Sequence, residues 1–426
     1  MKKTAQSHSN RNIDEWLSYL ENIHSTEIDM GLERISTVAQ KLAIDLSFTQ
    51  VITVAGTNGK GTTCAFLENV LLSKKHSVAV YSSPHIENFN ERLRINKQDV
   101  DDSSLILAFE QIEQTRGETS LTYYEYTTLA ALLVVMEKQP DYVILEVGLG
   151  GRLDATNIID ADIAVITTVD LDHQAFLGDN RESIGFEKAG IMRENQKVVI
   201  GDKQPPLSVL SHARKLKTQL YLRDRDFILA VNKDENCWNW QHQCLSFNQL
   251  PQANIPLDNI ATALMVLTLL KINLTHQELT ILVSSTKVPG RTELIEAHCQ
   301  VMLDVGHNPL AARYLAEQIQ LISANKVHAV VGMLADKDLL NTLIPLDLLV
   351  DCWYLASLDV PRGAKSEDLK GHFGKSTKLT NETKKLFTFD NAIDAYKMAL
   401  SHADERDLIL VFGSFFTVAQ VKAFIN

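Results

Sequence analysis

Val51-Ile52-Thr53-Val54-Ala55 runs without a break into Gly56-Thr57-Asn58-Gly59-Lys60-Gly61-Thr62-Thr63, and the apolar stretch Thr62–Ser73 continues with helical period. The first five residues read as a strand and the last stretch as a helix. Between them lies a glycine loop, in the setting that cradles a phosphate. Its glycines allow backbone N–H groups to face an anion. The helix N-terminus adds partial positive charge, and Lys60 adds a full one. Thr62 and Thr63 offer hydroxyls to phosphate or metal. The usual pattern places Ser or Thr directly after the lysine, whereas here Gly61 intervenes. The alternative, a glycine turn without a ligand, leaves the strand before it and the helix after it unexplained.

Outward from the loop, short apolar runs alternate with longer amphipathic ones. Ser77–Tyr81, Tyr142–Val147, Ile163–Val169 and Val198–Ile200 read as strands, and Thr127–Lys138 as a helix. Strands alternating with helices predict a parallel sheet covered on both faces. Between Leu220 and Leu250, aromatic and polar residues alternate without helical period, which predicts a small antiparallel insertion. Two apolar helices follow, Asn259–Leu270 and Gln277–Ser284. Val288-Pro289-Gly290 then marks a boundary. Beyond it the alternation resumes, with strands Val301–Leu303, Ala329–Val331, Trp353–Ala356 and Leu408–Phe412. Helices are expected over Ala311–Ile322, near Leu339, and over Asn391–Leu400 and Thr417–Phe424. The predicted architecture is α/β, with a P-loop parallel-sheet domain over 1–287 and a smaller Rossmann-like α/β domain over 288–426.

In an open parallel sheet, ligands bind outside the carboxyl ends of strands. Ser82 and Ser83 end the second strand, Glu146 follows Tyr142–Leu145, and Asp170, Asp172 and His173 follow Ile163–Val169. A hydroxyl, a carboxylate and an imidazole beside a phosphate loop suggest a divalent metal held against nucleotide phosphates. Gly148-Leu149-Gly150-Gly151-Arg152 also follows a strand. Its sixth position is Leu153 rather than Gly, so it reads as a tight loop at the substrate edge, with Arg152 and Asp154 as polar contacts. In the second domain, Asp304 and His307 follow strand Val301–Leu303, and Arg291 lies at the hinge. Asn308-Pro309 is a helix-start pair. Asn96-Lys97-Gln98-Asp99 matches a guanine-reading pattern by chance, because no Asp lies between Thr62 and Ile95 to serve as a switch.

Composition narrows the class. The 426 residues carry 41 Lys plus Arg against 53 Asp plus Glu, a formal charge of −12 that argues against a nucleic-acid-binding face. Any anion must be captured locally. Apolar residues make up 45% and charged residues 22%, as in globular chains. Five cysteines form no CxxC pair, which favours reduced thiols over zinc or disulfides. Met1–Arg11 is polar and lacks the apolar core of a signal peptide. The longest apolar run, Leu129–Met136, is too short to span a bilayer. A cytoplasmic protein is expected.

The chain resembles the folylpolyglutamate synthase family, of the Mur ligase superfamily. Gly56–Thr62 resembles that family's phosphate loop, with the same extra glycine. Leu145-Glu146-Val147-Gly148-Leu149-Gly150-Gly151-Arg152-Leu153-Asp154-Ala155-Thr156-Asn157 matches its signature. So do Leu171-Asp172-His173, Glu187-Lys188-Ala189-Gly190-Ile191 and His307-Asn308-Pro309. Gly332-Met333-Leu334-Ala335-Asp336-Lys337-Asp338 and Pro361-Arg362-Gly363-Ala364 match as well. Met30, Tyr124, Thr292 and Gly306 depart from the residues usual at their positions.

The resemblance implies an ATP-dependent ligase that adds L-glutamate to dihydropteroate and to folates through an acyl phosphate. It implies Mg²⁺ on Ser83, Glu146 and His173, with Lys188 carbamylated to hold a second ion. ATP is implied on Thr57, Asn58, Gly59, Lys60, Gly61, Thr62, Asn259, Arg291 and Asp304. Lys60, His173, Lys188, Asp304 and His307 are the implied catalytic set. The pterin is implied on Asp29, Met30, Gly31 and Leu32, on Thr122, Tyr123, Tyr124 and Glu125, and on Leu153, Asp154 and Ala155. A monomer is implied, with no nucleic-acid or membrane partner. The alternatives are a monofunctional folylpolyglutamate synthase, a Mur-type amino-acid ligase, and a non-catalytic nucleotide-binding module. A Mur-type ligase would carry a separate domain before the loop, where only about 50 residues stand, fewer than a typical domain.

Overall fold

The computed structural model describes residues 11–26, 28–232, 234–375, 379 and 385–425. The stretch Met1–Asn10, part of the polar N-terminus, lies outside the described residues. The chain divides into two compact units. The first runs to Val169 and adds Glu182–Pro251 and Leu257–Leu282. The second takes Asp170–Arg181, Gln252–Pro256 and the chain from Val283.

The first unit is built on a sheet of eight strands. They are β1 (Gln50–Ala55), β2 (Val78–Tyr81), β3 (Leu93–Ile95), β4 (Gln98–Asp99), β5 (Tyr142–Glu146), β6 (Ile163–Ile166), β7 (Lys197–Ile200) and β8 (Gln219–Leu222). Their order is β4-β3-β2-β5-β1-β6-β7-β8. Six strands are parallel, and β3 and β4 add an antiparallel edge that corrects the all-parallel expectation. Strand β1 is buried at every residue after the first, as continuous apolar runs are when both faces are covered. Val51, Ala79, Tyr81, Val143 and Leu145 share a core with helices Ile13–Asn22, Glu33–Lys41, Asp102–Arg116 and Tyr123–Lys138. Their neighbours Ile52, Val54, Val80 and Ile144 are buried on the opposite face, as strand alternation requires.

Asn96 and Lys97 take positive φ in the turn joining β3 to β4, and the Asn96 side chain accepts the Val78 N–H. The guanine-like pattern is therefore a hairpin turn. The insertion forms a three-stranded antiparallel sheet of β9 (Ile228–Asn232), β10 (Cys237–His242) and β11 (Leu245–Leu250). Trp240 anchors it by donating to Ala261 O on helix Leu257–Leu269, 3.1 Å away.

The second unit holds a six-stranded sheet of β12 (Glu293–Glu296), β13 (Gln300–Asp304), β14 (Val327–Val331), β15 (Cys352–Ala356), β16 (Lys385–Phe389) and β17 (Leu408–Phe412). The order is β12-β13-β17-β14-β15-β16, with only β12 antiparallel. Its two faces are covered by separate apolar clusters, one centred on Trp353 and Phe412, the other on Tyr354 and Val411. Among the described residues no helix is long and apolar enough to cross a membrane. All five cysteines are free thiols, four of them buried.

Candidate active site

Strand β1 lies between β5 and β6, so the segments after these three strands share one edge of the sheet. The glycine loop is closed there by the residues following β6. Thr57 N–H donates to Thr168 O at 2.8 Å, and Asn58 N–H donates to Thr168 Oγ1 at 3.1 Å. Thr167 Oγ1 donates to Asn58 O at 2.6 Å. These hydroxyls explain why β6 stops at Ile166, short of the expected Val169: Thr167 and Thr168 turn their side chains to the loop. Gly59 adopts φ +86° as the N-cap of helix Lys60–Ser73. A Cβ there would stand 2.4 Å from Asn259 Oδ1. Asn259 Nδ2 in turn donates to Thr62 Oγ1 at 2.8 Å. The Lys60 ammonium folds over the loop and donates to Gly56 O at 3.0 Å and Thr57 O at 3.4 Å. A helix N-terminus, a left-handed glycine and a lysine thus converge on one loop, as anion binding requires.

Glu146 ends β5 opposite Val54 of β1 and is 5% exposed. Its carboxylate faces Gly61, where a Cβ would be 3.7 Å from Oε2. Burial, with the Glu146 charge, pushes the nearby Cys64 thiol well above its ordinary range. Ser83 follows β2 and is half-buried before the cis peptide to Pro84. A buried carboxylate and a hydroxyl are hard oxygen donors, and they fit a cation such as Mg²⁺. Lys188 is buried in helix Arg181–Ala189, against which the loop Gly148–Arg152 packs through Arg152 N–H to Glu187 O at 2.7 Å.

Arg152 and Asp154, expected as substrate contacts, have local partners. Arg152 pairs with Glu187 at 2.9 Å. Asp154 is buried and accepts from Leu149 N–H, Thr156 N–H and Thr156 Oγ1. Burial raises its carboxyl above the usual range against those hydrogen bonds. Thr122 and Glu125 form a reciprocal cap on helix Tyr123–Lys138, and Tyr124 lies against Gly148. Arg34 ties two of the implied pterin segments together. It pairs with Asp29 at 2.7 Å and with buried Glu125 at 3.2 Å.

The second unit gathers a cluster of its own. Asp172 Oδ1 accepts from Lys337 Nζ at 2.6 Å and from His173 N–H at 2.8 Å. Its Oδ2 accepts from Asn308 Nδ2 at 3.2 Å and faces His307 Nε2 at 3.5 Å. Lys337 Nζ also lies 3.3 Å from His173 Nε2. Asp172, His173 and His307 are close enough to share one metal ion. Burial opposes ionisation of Asp172, yet His307 and the Lys337 charge hold its carboxyl well below the usual range. Asp304 ends β13, buried, and accepts from Thr292 N–H at 2.8 Å and Gly306 N–H at 2.7 Å. Burial raises its carboxyl, and the Arg291 charge opposes the rise. Arg291 stacks over Phe415 at 5.1 Å. Asn308 caps helix Pro309–Gln320, as its sequence context predicts.

Sequence reasoning assigned no role to Thr167, Thr168, Arg34 or Lys337. Lys337 stands within a quoted motif after strand β14. Its partners Asp172 and His173 are more than 160 residues away in sequence, which spacing alone cannot reveal.

The comparisons agree along the whole chain. Residues 54–221 match the Mur ligase middle domain and residues 290–415 the Mur ligase glutamate ligase domain. The chain is 42% identical to the dihydrofolate synthase/folylpolyglutamate synthase of Escherichia coli K12, over 100% of this chain and 98% of that protein. The structure of E. coli FolC in complex with DHPP and ADP aligns with a TM-score of 0.92 at 42% identity, covering 99% of both chains. A bifunctional folylpolyglutamate synthase/dihydrofolate synthase with Mn, AMPPNP and L-glutamate bound aligns with a TM-score of 0.89 at 43% identity. That alignment covers 99% of this chain and 100% of the other.

Proposed function

The chain belongs to the dihydrofolate synthase/folylpolyglutamate synthase family of Mur ligases, and from that premise we propose that it joins L-glutamate to dihydropteroate and to folates at the expense of ATP. One observation carries the reading. The phosphate loop after β1 and the buried Glu146 at the end of the adjoining β5 lie side by side in one unit.

The substrate carboxylate attacks the γ-phosphorus of ATP, the bond to the β-phosphate oxygen breaks, and ADP leaves. The amine of L-glutamate then attacks the acyl carbon, the acyl–phosphate C–O bond breaks, and phosphate leaves as the nitrogen gives up a proton. Both steps concentrate negative charge on phosphoryl oxygens. The loop N–H groups and Lys60 are placed to stabilise it. Mg²⁺, when bound, neutralises phosphate charge and aligns the oxygens.

In this reading ATP is held by Thr57, Asn58, Gly59, Lys60, Gly61, Thr62 and Asn259, with Arg291 and Asp304 of the second unit. Ser83, Glu146 and His173 provide metal ligands, and Lys188, once carbamylated, provides another. His307 is counted with Lys60, His173, Lys188 and Asp304 in the catalytic set. The pterin is assigned to Asp29–Leu32, Thr122–Glu125 and Leu153–Ala155. The division into domains 1–287 and 288–426, a cytoplasmic location and a monomeric state belong to the same reading.

Purified protein given dihydropteroate, L-glutamate, Mg²⁺ and ATP is expected to yield ADP, phosphate and dihydrofolate in equal amounts. Tetrahydrofolate in place of dihydropteroate tests the second addition. ATP cleavage that ignores the pterin acceptor overturns the proposal.

A further inference from the structure

Arg92 is the one Arg or Lys of the segment Ser82–Leu93, and the proposed chemistry gives its side chain no task. Its position is fixed from several directions. Its carbonyl accepts Ser82 N–H at 2.8 Å, which ties it to the residue before Ser83. Its Nε donates to His85 Nδ1 at 2.9 Å. Its guanidinium carbon sits 5.6 Å from the Phe89 ring centre and 5.3 Å from that of Tyr123, and these two rings meet edge to face. The neighbouring Glu91 carboxylate is committed elsewhere, accepting N–H groups of Ile86, Glu87 and Asn88. Among the described residues no ion pair or hydrogen bond engages Arg92 Nη1 or Nη2.

A guanidinium held through Nε, half-buried and flanked by aromatic rings, presents its remaining N–H groups as a planar fork. That fork matches a carboxylate through two parallel N–H···O bonds. The surroundings indicate whose carboxylate. Tyr123 belongs to the segment assigned to the pterin, and Ser83 to the cation and phosphates. An acyl substrate bound between them must present its carboxylate near the residue that touches both segments. We propose that Arg92 binds the carboxylate of dihydropteroate or folate that is to be phosphorylated, and aligns it for attack on ATP. This assignment rests on the proposed ligase function.

The test compares dihydropteroate with its carboxamide, which keeps the pterin and ring but lacks the charge. Calorimetric binding is measured on wild type, Arg92→Gln and Arg92→Lys, with thermal melts to confirm folding. Arg92→Gln is expected to weaken dihydropteroate ~10–100-fold, the worth of a charge-assisted hydrogen-bonded pair. It should leave the carboxamide within about threefold, and Arg92→Lys should recover part of the loss. The KM for dihydropteroate and for tetrahydrofolate should rise together in turnover assays. Equal losses for acid and amide would reduce Arg92 to a packing role, and unchanged binding would remove it from the site. A KM effect confined to tetrahydrofolate would point to a spectator carboxylate and overturn the assignment to the reacting one. Wild type that neither binds nor turns over dihydropteroate would instead overturn the ligase reading itself.

Discussion

The phosphate loop of the first unit and the Asp172 cluster of the second are built in opposite ways. The loop is made from consecutive residues, and its groups for binding an anion are backbone N–H donors, a left-handed Gly59 and one lysine. The cluster is made from side chains scattered over residues 172, 173, 307, 308 and 337, and its central charge, Asp172, is balanced internally by Lys337 and His307. One region is shaped to receive charge from outside, and the other already contains both signs. Substitutions should therefore fail differently in each. Loss of the loop's charge should cost turnover and nucleotide affinity at nearly constant stability. Damage to the cluster should cost stability as well.

The largest effect is expected at Lys60. Lys60→Ala should lower kcat on the order of a thousandfold, because a cation poised at developing phosphoryl charge is removed. Circular dichroism and the thermal midpoint should stay near those of wild type, since the ammonium donates to the carbonyls of its own loop, Gly56 O and Thr57 O. A large drop in midpoint would break the contrast between the regions.

Lys337→Met comes next. It leaves the Asp172 carboxylate, 9% exposed, without the ammonium that stands 2.6 Å away. Breaking a buried pair on one side costs ~3–5 kcal/mol. Urea unfolding of the second unit, followed through the fully buried Trp353 of its sheet, should register that loss. Adding Asp172→Asn should return part of the stability, because the stranded charge goes with it. No recovery in the double variant would show that Lys337 acts on something other than Asp172.

Gly59→Ala addresses the loop at smaller scale. The left-handed conformation alone costs ~1–2 kcal/mol for a residue with a Cβ. The added carbon would also meet Asn259 Oδ1 at 2.4 Å and displace its partner contact to Thr62. ADP affinity, read by calorimetry, should fall about tenfold, equivalent to ~1.4 kcal/mol.

The same contrast governs what the sequence makes legible. The loop, its strand and its helix are written in one uninterrupted stretch, so their local order is readable directly. Strands β1 and β5 are mostly apolar and β17 wholly so, and they are equally plain. Helices Ile13–Asn22 and Glu33–Lys41 escape a periodicity reading because each is short and buries only two or three residues, Trp16 and Leu20 in the first. The antiparallel edge strands β3, β4 and β12 are two to four residues long, β4 exposed throughout and β12 at alternate residues, without an apolar run to mark them. The Asp172–Lys337 pair is a product of topology, and only the family signature points to its members. Thr167 and Thr168 read as the tail of an apolar strand, and their role in closing the loop follows from the pairing of β6 with β1.

The smallest expected effect tests where charge pairing stops mattering. Arg152 pairs with Glu187 at 2.9 Å, but the Arg152 side chain is 43% exposed, so water competes for both partners. Exposed pairs contribute ~0–1 kcal/mol, and part of what Arg152 adds is the stacking of its guanidinium over Phe186 at 5.5 Å. Arg152→Ala should shift the urea midpoint little, and Arg152→Lys should be nearly silent. The backbone bond from residue 152 N–H to Glu187 O persists in either variant and keeps the glycine loop on its helix. Turnover separates the substrate contact expected from the sequence from the loop-fastening role seen in the structure. If Arg152 only fastens the loop, KM for dihydropteroate stays within about twofold of wild type, the scale of such a surface pair. A tenfold rise in KM at unchanged stability would place Arg152 on the substrate. Its pairing with Glu187 would then be an arrangement that substrate displaces, and this exposed pair would join the regions built to receive charge.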